Sequence, residues 1–215
     1  MSTQPILAFD CATVGASIAL RVQGNTLTRE IGQTAQAAEL LPAIASLMDE
    51  AGVNFTQLGA IITTIGPGSF TGVRIGLAAL HGLVLVHATP IKTLTTLQAM
   101  AWAVARLPAP PQTFWVALRA GKGEVYAQKF MADAGVPVAD GDIALLPENF
   151  TAWDAPCYAN HVAGDDPHFL HGPDATILCA IAEYMPITPL ADALPLYIRP
   201  PDATQGAPHA WLKAN

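Results

Sequence analysis

At 215 residues the chain is long enough for one or two domains with real cores. A hydrophobic fraction of 52% beside only 13% charge leaves few solvated side chains, so part of the apolar surface is expected to lie in a protein interface. The formal net charge of -7, with ten Lys and Arg scattered and never in a run, argues against nucleic-acid binding by this chain alone.

The chain opens on Pro-Ile-Leu-Ala-Phe-Asp (5 to 10), a buried strand ending in a carboxylate. No basic region precedes this apolar run and Asp10 interrupts it, so it reads as the first strand and not as a signal peptide. Residues 16 to 22 alternate as a second strand, Gln23-Gly24-Asn25 is a hairpin signal, and residues 26 to 31 return. A helix follows over 35 to 51, with Leu40, Leu41, Ile44, Leu47 and Met48 at helical spacing and Gly52 as its stop. Pro42 lies inside this pattern, so the helix is expected to begin near 39 to 41 or to kink there.

A strand over 58 to 65 leads into Gly66-Pro67-Gly68-Ser69, a loop whose glycines bracket a proline, and then into an apolar helix from Thr71 to about His87. Ser69 or Thr71 can cap that helix. Gly72, Gly76 and Gly82 each cost roughly 1 kcal/mol against alanine within it. Gly72, Gly76 and Ala79 share one face, which implies close approach of another backbone, either from this chain or from a partner. Arg74 sits in the first turn, the unfavourable end of the helix dipole, and calls for a carboxylate; Glu39 and Glu124 are both candidates. The longest apolar stretch, Ile75 to Ala88, is shorter than about 18 residues and carries two histidines, so nothing is expected to span a membrane.

A short strand near Ile91 and a helix over 95 to 106 complete a first lobe, and Leu107-Pro-Ala-Pro-Pro-Gln marks the boundary. The expected division is 1–107 and 108–215. The second lobe opens with strands over 113 to 119 and 124 to 131, joined by a tight Ala-Gly-Lys-Gly turn. The pattern is weak from 135 to 175, with short apolar pieces at 143 to 146 and 157 to 163. Residues 175 to 185 read as a helix, Pro195 to Pro201 as extended, and the rest as a mobile tail.

The candidate chemistry is thin. Asp10 with Thr13 is either a phosphate- or magnesium-facing turn or a structural cap; Cys11 and Ala12 stand where glycines would bring the backbone close to a phosphate. The Gly66–Gly72 loop precedes a helix N-terminus but lacks the Gly-Lys-Ser/Thr ending of a P-loop. Asp165, Asp166, His168 and His171 gather metal-ligand types in a Gly/Pro/Asp-rich loop with no helical pairing, so no metal site is assigned. His81 and His87 are not spaced for one helix face. Ser69 does not match a nucleophile elbow. Cys11, Cys157 and Cys179 show no C-x-x-C spacing and read as reduced thiols of a cytosolic protein. No catalytic constellation emerges.

Gly-Pro-Gly-Ser-Phe-Thr-Gly-Val-Arg-Ile-Gly (66 to 76) closely resembles the signature of the TsaB family, also called YeaZ. Ile6 to Thr13, Glu39-Leu-Leu-Pro42, Leu118 to Tyr126 and Pro195-Leu-Tyr-Ile-Arg199 resemble that family's further motifs in order. The departures are Ala37-Ala38 where the family has His-Ser, Leu118 where it has Asp, and a short middle of the second lobe. The resemblance implies an α/β, actin-like ATPase and sugar-kinase (ASKHA, ribonuclease H-like) fold of two lobes, each a mixed sheet flanked by helices. It also implies a cytoplasmic, non-catalytic scaffold that dimerises with TsaD in the complex transferring threonylcarbamoyl to the adenosine next to the tRNA anticodon. TsaE would join through that complex, tRNA only indirectly, and the chain would form a homodimer when alone. No tightly bound cofactor is expected, with ATP or ADP only in the complex. The expected partner interface is Glu39, Leu40, Ile44, Met48, Gly72, Arg74, Ile75, Gly76 and Ala79, with Gly66, Pro67, Gly68 and Ser69 shaping the loop. The rival expectation is an ATP-binding actin-like enzyme or a peptidase-like protein active on its own.

Overall fold

Strand β1, Ile6–Asp10, is buried at every position, as an unbroken Ile-Leu-Ala-Phe run requires when both faces of a strand are covered. The computed structural model describes residues 4–160, 166 and 168–199, so Asp165 and the expected tail after Pro201 lie outside the described residues. Strands β2 (Ala16–Val22) and β3 (Asn25–Ile31) pair antiparallel on one side of β1, while β4 (Ala60–Thr64) and β5 (Ile91–Leu94) run parallel on the other, in the order β3-β2-β1-β4-β5.

The crossovers to the parallel strands are helices α1 (Gln36–Ala51) and α2 (Phe70–Val86). Leu40, Ile44, Leu47 and Met48 of α1 and Val73, Leu77 and Leu80 of α2 close over Leu7, Phe9, Ile18 and Leu20 of the sheet. Helix α1 starts earlier than expected, at Gln36, and continues through Pro42. Two features permit this. The buried Gln36 amide donates to the Gly15 carbonyl, holding the first turn against the β1–β2 connection. Pro42 and Ala38, whose carbonyl the missing N–H would have met, are both exposed, so the gap in the helical ladder lies on the solvent side.

The second sheet comprises β6 (Thr113–Gly121), β7 (Glu124–Asp133), β8 (Val136–Ala139), β9 (Ala144–Pro147) and β10 (Cys157–Ala159). Its order is β10-β6-β7-β8, with β9 also on β7 and β10 parallel to β6. This repeats the start of the first sheet, an antiparallel meander with a parallel strand beyond its first member. Two mixed sheets of this order flanked by helices make the actin-like, ribonuclease H-like fold.

Helix α3 (Thr96–Val104) serves both sheets. Leu97, Met100, Ala101 and Val104 pack on Phe114, Val116, Leu118 and Phe130 of the second. Ala99 and Trp102 join Ile6, Ala8, Ala19 and Ile62 on the rear face of the first. Helix α4 (Ala175–Ile181) completes that rear layer with Leu178, Cys179 and Ile181. Here the expected division at 107 and 108 fails on its C-terminal side. The rear face of β1 and β2 must be covered, and the chain returns from the second sheet to cover it. Among the described residues no helix is long and apolar enough to cross a membrane.

Candidate functional site

The loop 66 to 69 owes its composition to the β1–β2 turn. The Ser69 N–H donates to the Ala12 carbonyl over 2.7 Å, and the Ser69 hydroxyl accepts from Gly72 N–H over 3.1 Å, capping α2. A Cβ at Gly68 would overlap the Ala12 carbonyl oxygen, and one at Gly72 would overlap that of Cys11. At Gly76 a Cβ would rest 3.4 Å from the Cys11 Cβ. Gly72 thus answers to its own chain and not to an outside helix, while Gly76 faces Cys11 at ordinary contact distance.

The expected interface set divides on burial. Leu40, Ile44, Met48 and Ala79 lie in the core, Gly72 and Gly76 face Cys11, and Ile75 is half-buried; only Glu39 and Arg74 are exposed. The cause is the sheet beneath: the apolar row at helical spacing covers β1, so the outward row is a different one. On α2 that outward row is Ala78, Gly82 and Leu85, the last 84% exposed. On α1 it includes Leu41 and Ala45. Among the described residues a Cβ at Gly82 would meet nothing within 4 Å, so none of them, in contrast to Cys11 at Gly72, requires a glycine here.

Asp10 is enclosed. Thr64 donates to one carboxylate oxygen and Thr13 to the other at 3.2 Å, while burial pushes the carboxyl up to about 6 despite those bonds. The carbonyls of residues 11 and 12 point into the start of α2. The Asp10 carboxylate and the Ala12 carbonyl are both taken up within the chain, which is the arrangement of a structural cap.

Between the sheets lies a cleft of about 760 Å³ lined by Val14, Phe70, Leu118, Tyr126 and Asn160 among others. Residues 195 to 199 cross it as a strap. Leu196 N–H donates to the Ile65 carbonyl over 2.8 Å on the first lobe. Arg199 donates to the Ala120 and Gly121 carbonyls, each at 3.1 Å, and pairs with Glu124 on the second. Arg74 meets the strap at the mouth of the cleft. Its Nε donates to the Tyr197 hydroxyl over 2.9 Å, and its guanidinium carbon lies 3.5 Å from the Phe70 ring centroid. Among the described residues no carboxylate meets Arg74: Glu124 is held by Arg199, and an aromatic pair flanks Arg74 instead. Sequence reasoning missed Phe70 and Tyr197 as its partners, although both lie within the motifs of the family resemblance.

The remaining candidates are structural. His81 Nε2 lies 3.0 Å from the Ala193 carbonyl. Asp166 accepts from the His168 N–H, and among the described residues no three metal-ligand side chains converge. Burial pushes the Cys11, Cys157 and Cys179 thiols up to about 12, which leaves them inert as nucleophiles.

Residues 29–142 match the family model described as TsaD, tRNA N6-adenosine threonylcarbamoyltransferase. The chain is 33% identical over 129 residues to the tRNA threonylcarbamoyladenosine biosynthesis protein TsaB of Escherichia coli, covering 60% of this chain and 55% of that one. It is 33% identical over 127 residues to the protein of the same description from Haemophilus influenzae, covering 59% and 53%. The chain therefore spans about half the length of these curated relatives. Its structure resembles YeaZ from Pseudomonas aeruginosa with a TM-score of 0.74 and 27% identity, over 91% of this chain and 100% of the other.

Proposed function

The chain belongs to the TsaB/YeaZ family, and we propose that it is a non-catalytic scaffold that pairs with the TsaD transferase in making threonylcarbamoyladenosine on tRNA. The observation that carries this reading is Gly82. A mid-helix glycine costs about 1 kcal/mol, and nothing among the described residues comes near enough to require it. With Ala78 and Leu85 beside it, and Leu41 and Ala45 on α1, it forms an outward face on which a partner helix can lie close. Burial of a standard interface of roughly 1,600 Å² would use the chain's surplus of apolar surface.

The closed turn at Asp10 supports a chain that holds no nucleotide tightly by itself, ATP or ADP entering only with the assembled complex. The acidic balance supports contact with tRNA through partners, in the cytoplasm where tRNA is modified. TsaE joins through the complex, and a second copy occupies the outward face when TsaD is absent.

The test is co-purification with TsaD and TsaE from the same source, followed by tRNA modification with each component omitted. Modification that proceeds without this chain sinks the proposal. Gly82→Leu should abolish the complex on size-exclusion chromatography while the far-UV circular dichroism stays unchanged; a normal complex from that variant moves the interface elsewhere. Micromolar Mg-ATP binding by the isolated chain in calorimetry would favour an actin-like enzyme instead.

A further inference from the structure

We infer that Arg74, held between Phe70 and Tyr197, is the anchor for a carboxylate side chain of the protein that docks on α2; the inference rests on the pairing with TsaD proposed above. Three observations meet at this residue. First, Arg74 is the fifth residue of α2, close to the end where the dipole disfavours a cation, and among the described residues it has no carboxylate partner. Second, the guanidinium is already held in place. Tyr197 takes its Nε, and the Phe70 ring lies 3.5 Å from its carbon on one face. Neither terminal amino group has an acceptor among the described residues, so the end-on edge formed by these two nitrogens remains open to grip a carboxylate with two parallel bonds.

Third, the surroundings have the make-up of an interface centre. Phe70 is 47% exposed and Tyr197 46%, so two exposed aromatic rings flank one fixed arginine, and Val14, 83% exposed, lines the same cleft as both rings. Arg74 also shares the outward face of α2 with Ala78 and Gly82, one and two turns on. A partner lying along that face passes over Arg74. The ligand is a carboxylate and not a nucleic-acid phosphate, because a chain of net charge -7 repels a phosphodiester backbone.

The experiment is a binding titration between the full chain and TsaD, read by calorimetry, with thermal unfolding of each variant alongside. Arg74→Glu is expected to weaken association by about 30-fold or more. Arg74→Lys should lose most of this too, because a lysine neither stacks on Phe70 nor bonds bidentately. A scan of the exposed Asp and Glu of TsaD to Lys should contain a substitution that restores affinity to Arg74→Glu. A folding defect in this chain cannot be repaired from the partner, so rescue establishes the contact. Affinities of Arg74→Glu within 2-fold of the parent overturn the inference, and so does a loss that no substitution in TsaD rescues. If the unaltered chain fails to bind TsaD while Gly82→Leu is equally inert, the proposed function falls and the inference falls with it. If Gly82→Leu loses binding and Arg74→Glu does not, the inference alone fails.

Discussion

Arg74 and Tyr197, 123 residues apart in sequence, are joined by a 2.9 Å hydrogen bond from Nε to the phenolic oxygen. The bond ties the N-terminal part of α2 to the strap across the cleft, and it makes the strap part of the outward face. Tyr197→Phe removes the acceptor and keeps the ring. It should cost about 0.5–1.5 kcal/mol in urea unfolding, nearer the lower figure because the site is half-exposed. Tyr197→Ala should cost more, since the contact with Phe70 goes as well.

Two glycines of one helix should respond to alanine with opposite signs. Gly72→Ala forces a Cβ onto the Cys11 carbonyl and should destabilise the chain by about 1–3 kcal/mol as the β1–β2 turn shifts. Gly82→Ala adds a methyl group to open space and should stabilise it by about 0.4–1 kcal/mol. Paired denaturant titrations read both, and equal effects would remove the distinction between the inward and outward rows of α2.

Asp10 sets a pH dependence. Its carboxyl holds a proton up to about 6 when folded, against an ordinary 3.8, so between these values the folded state binds more protons than the unfolded. Stability from this group is therefore full below about 3.8 and falls as pH rises through about 6, by roughly 3 kcal/mol at about 1.4 kcal/mol per pH unit. Asp10→Asn should flatten the slope of unfolding free energy against pH in that window. An unchanged slope would mean that the buried carboxyl is not its source.

Arg199→Ala should release the strap. The side chain donates to two carbonyls and a carboxylate of the second lobe, bonds worth about 1.5–3 kcal/mol each when charged and shielded, less here because Glu124 is partly solvated. Hydrogen exchange should quicken at 194 to 199 while β1 keeps its protection. Uniform quickening across both sheets would show that the strap supports the whole fold.

Local pattern was enough to place β1, the β2–β3 hairpin, α2 and the β6–β7 hairpin, because each carries its own period and turn residues. Strand β8 was not legible, and β9 and β10 showed only as the apolar pieces at 143 to 146 and 157 to 163; each is three or four residues long, and none is buried throughout. The destination of α4 was also hidden. Its apolar residues require burial, but nothing in them says that the cover is needed on the first sheet. The site shows the same limit. Gly72 and Gly82 are alike in sequence, and what separates them is the carbonyl of Cys11, some sixty positions upstream of the helix. Arg74 was legible as a misplaced cation, whereas its aromatic partner Tyr197 belongs to a segment that arrives only after both sheets are built.

Helix α3 carries one row of side chains for each sheet, like a party wall between two houses. Cutting the gene after residue 107 would strand Leu97, Met100 and Val104 in water and strip α4 from the rear of β1. Neither half then makes a viable product by itself. Damage anywhere along that wall should be felt on both sides at once, as loss of the whole molecule in a single melting step.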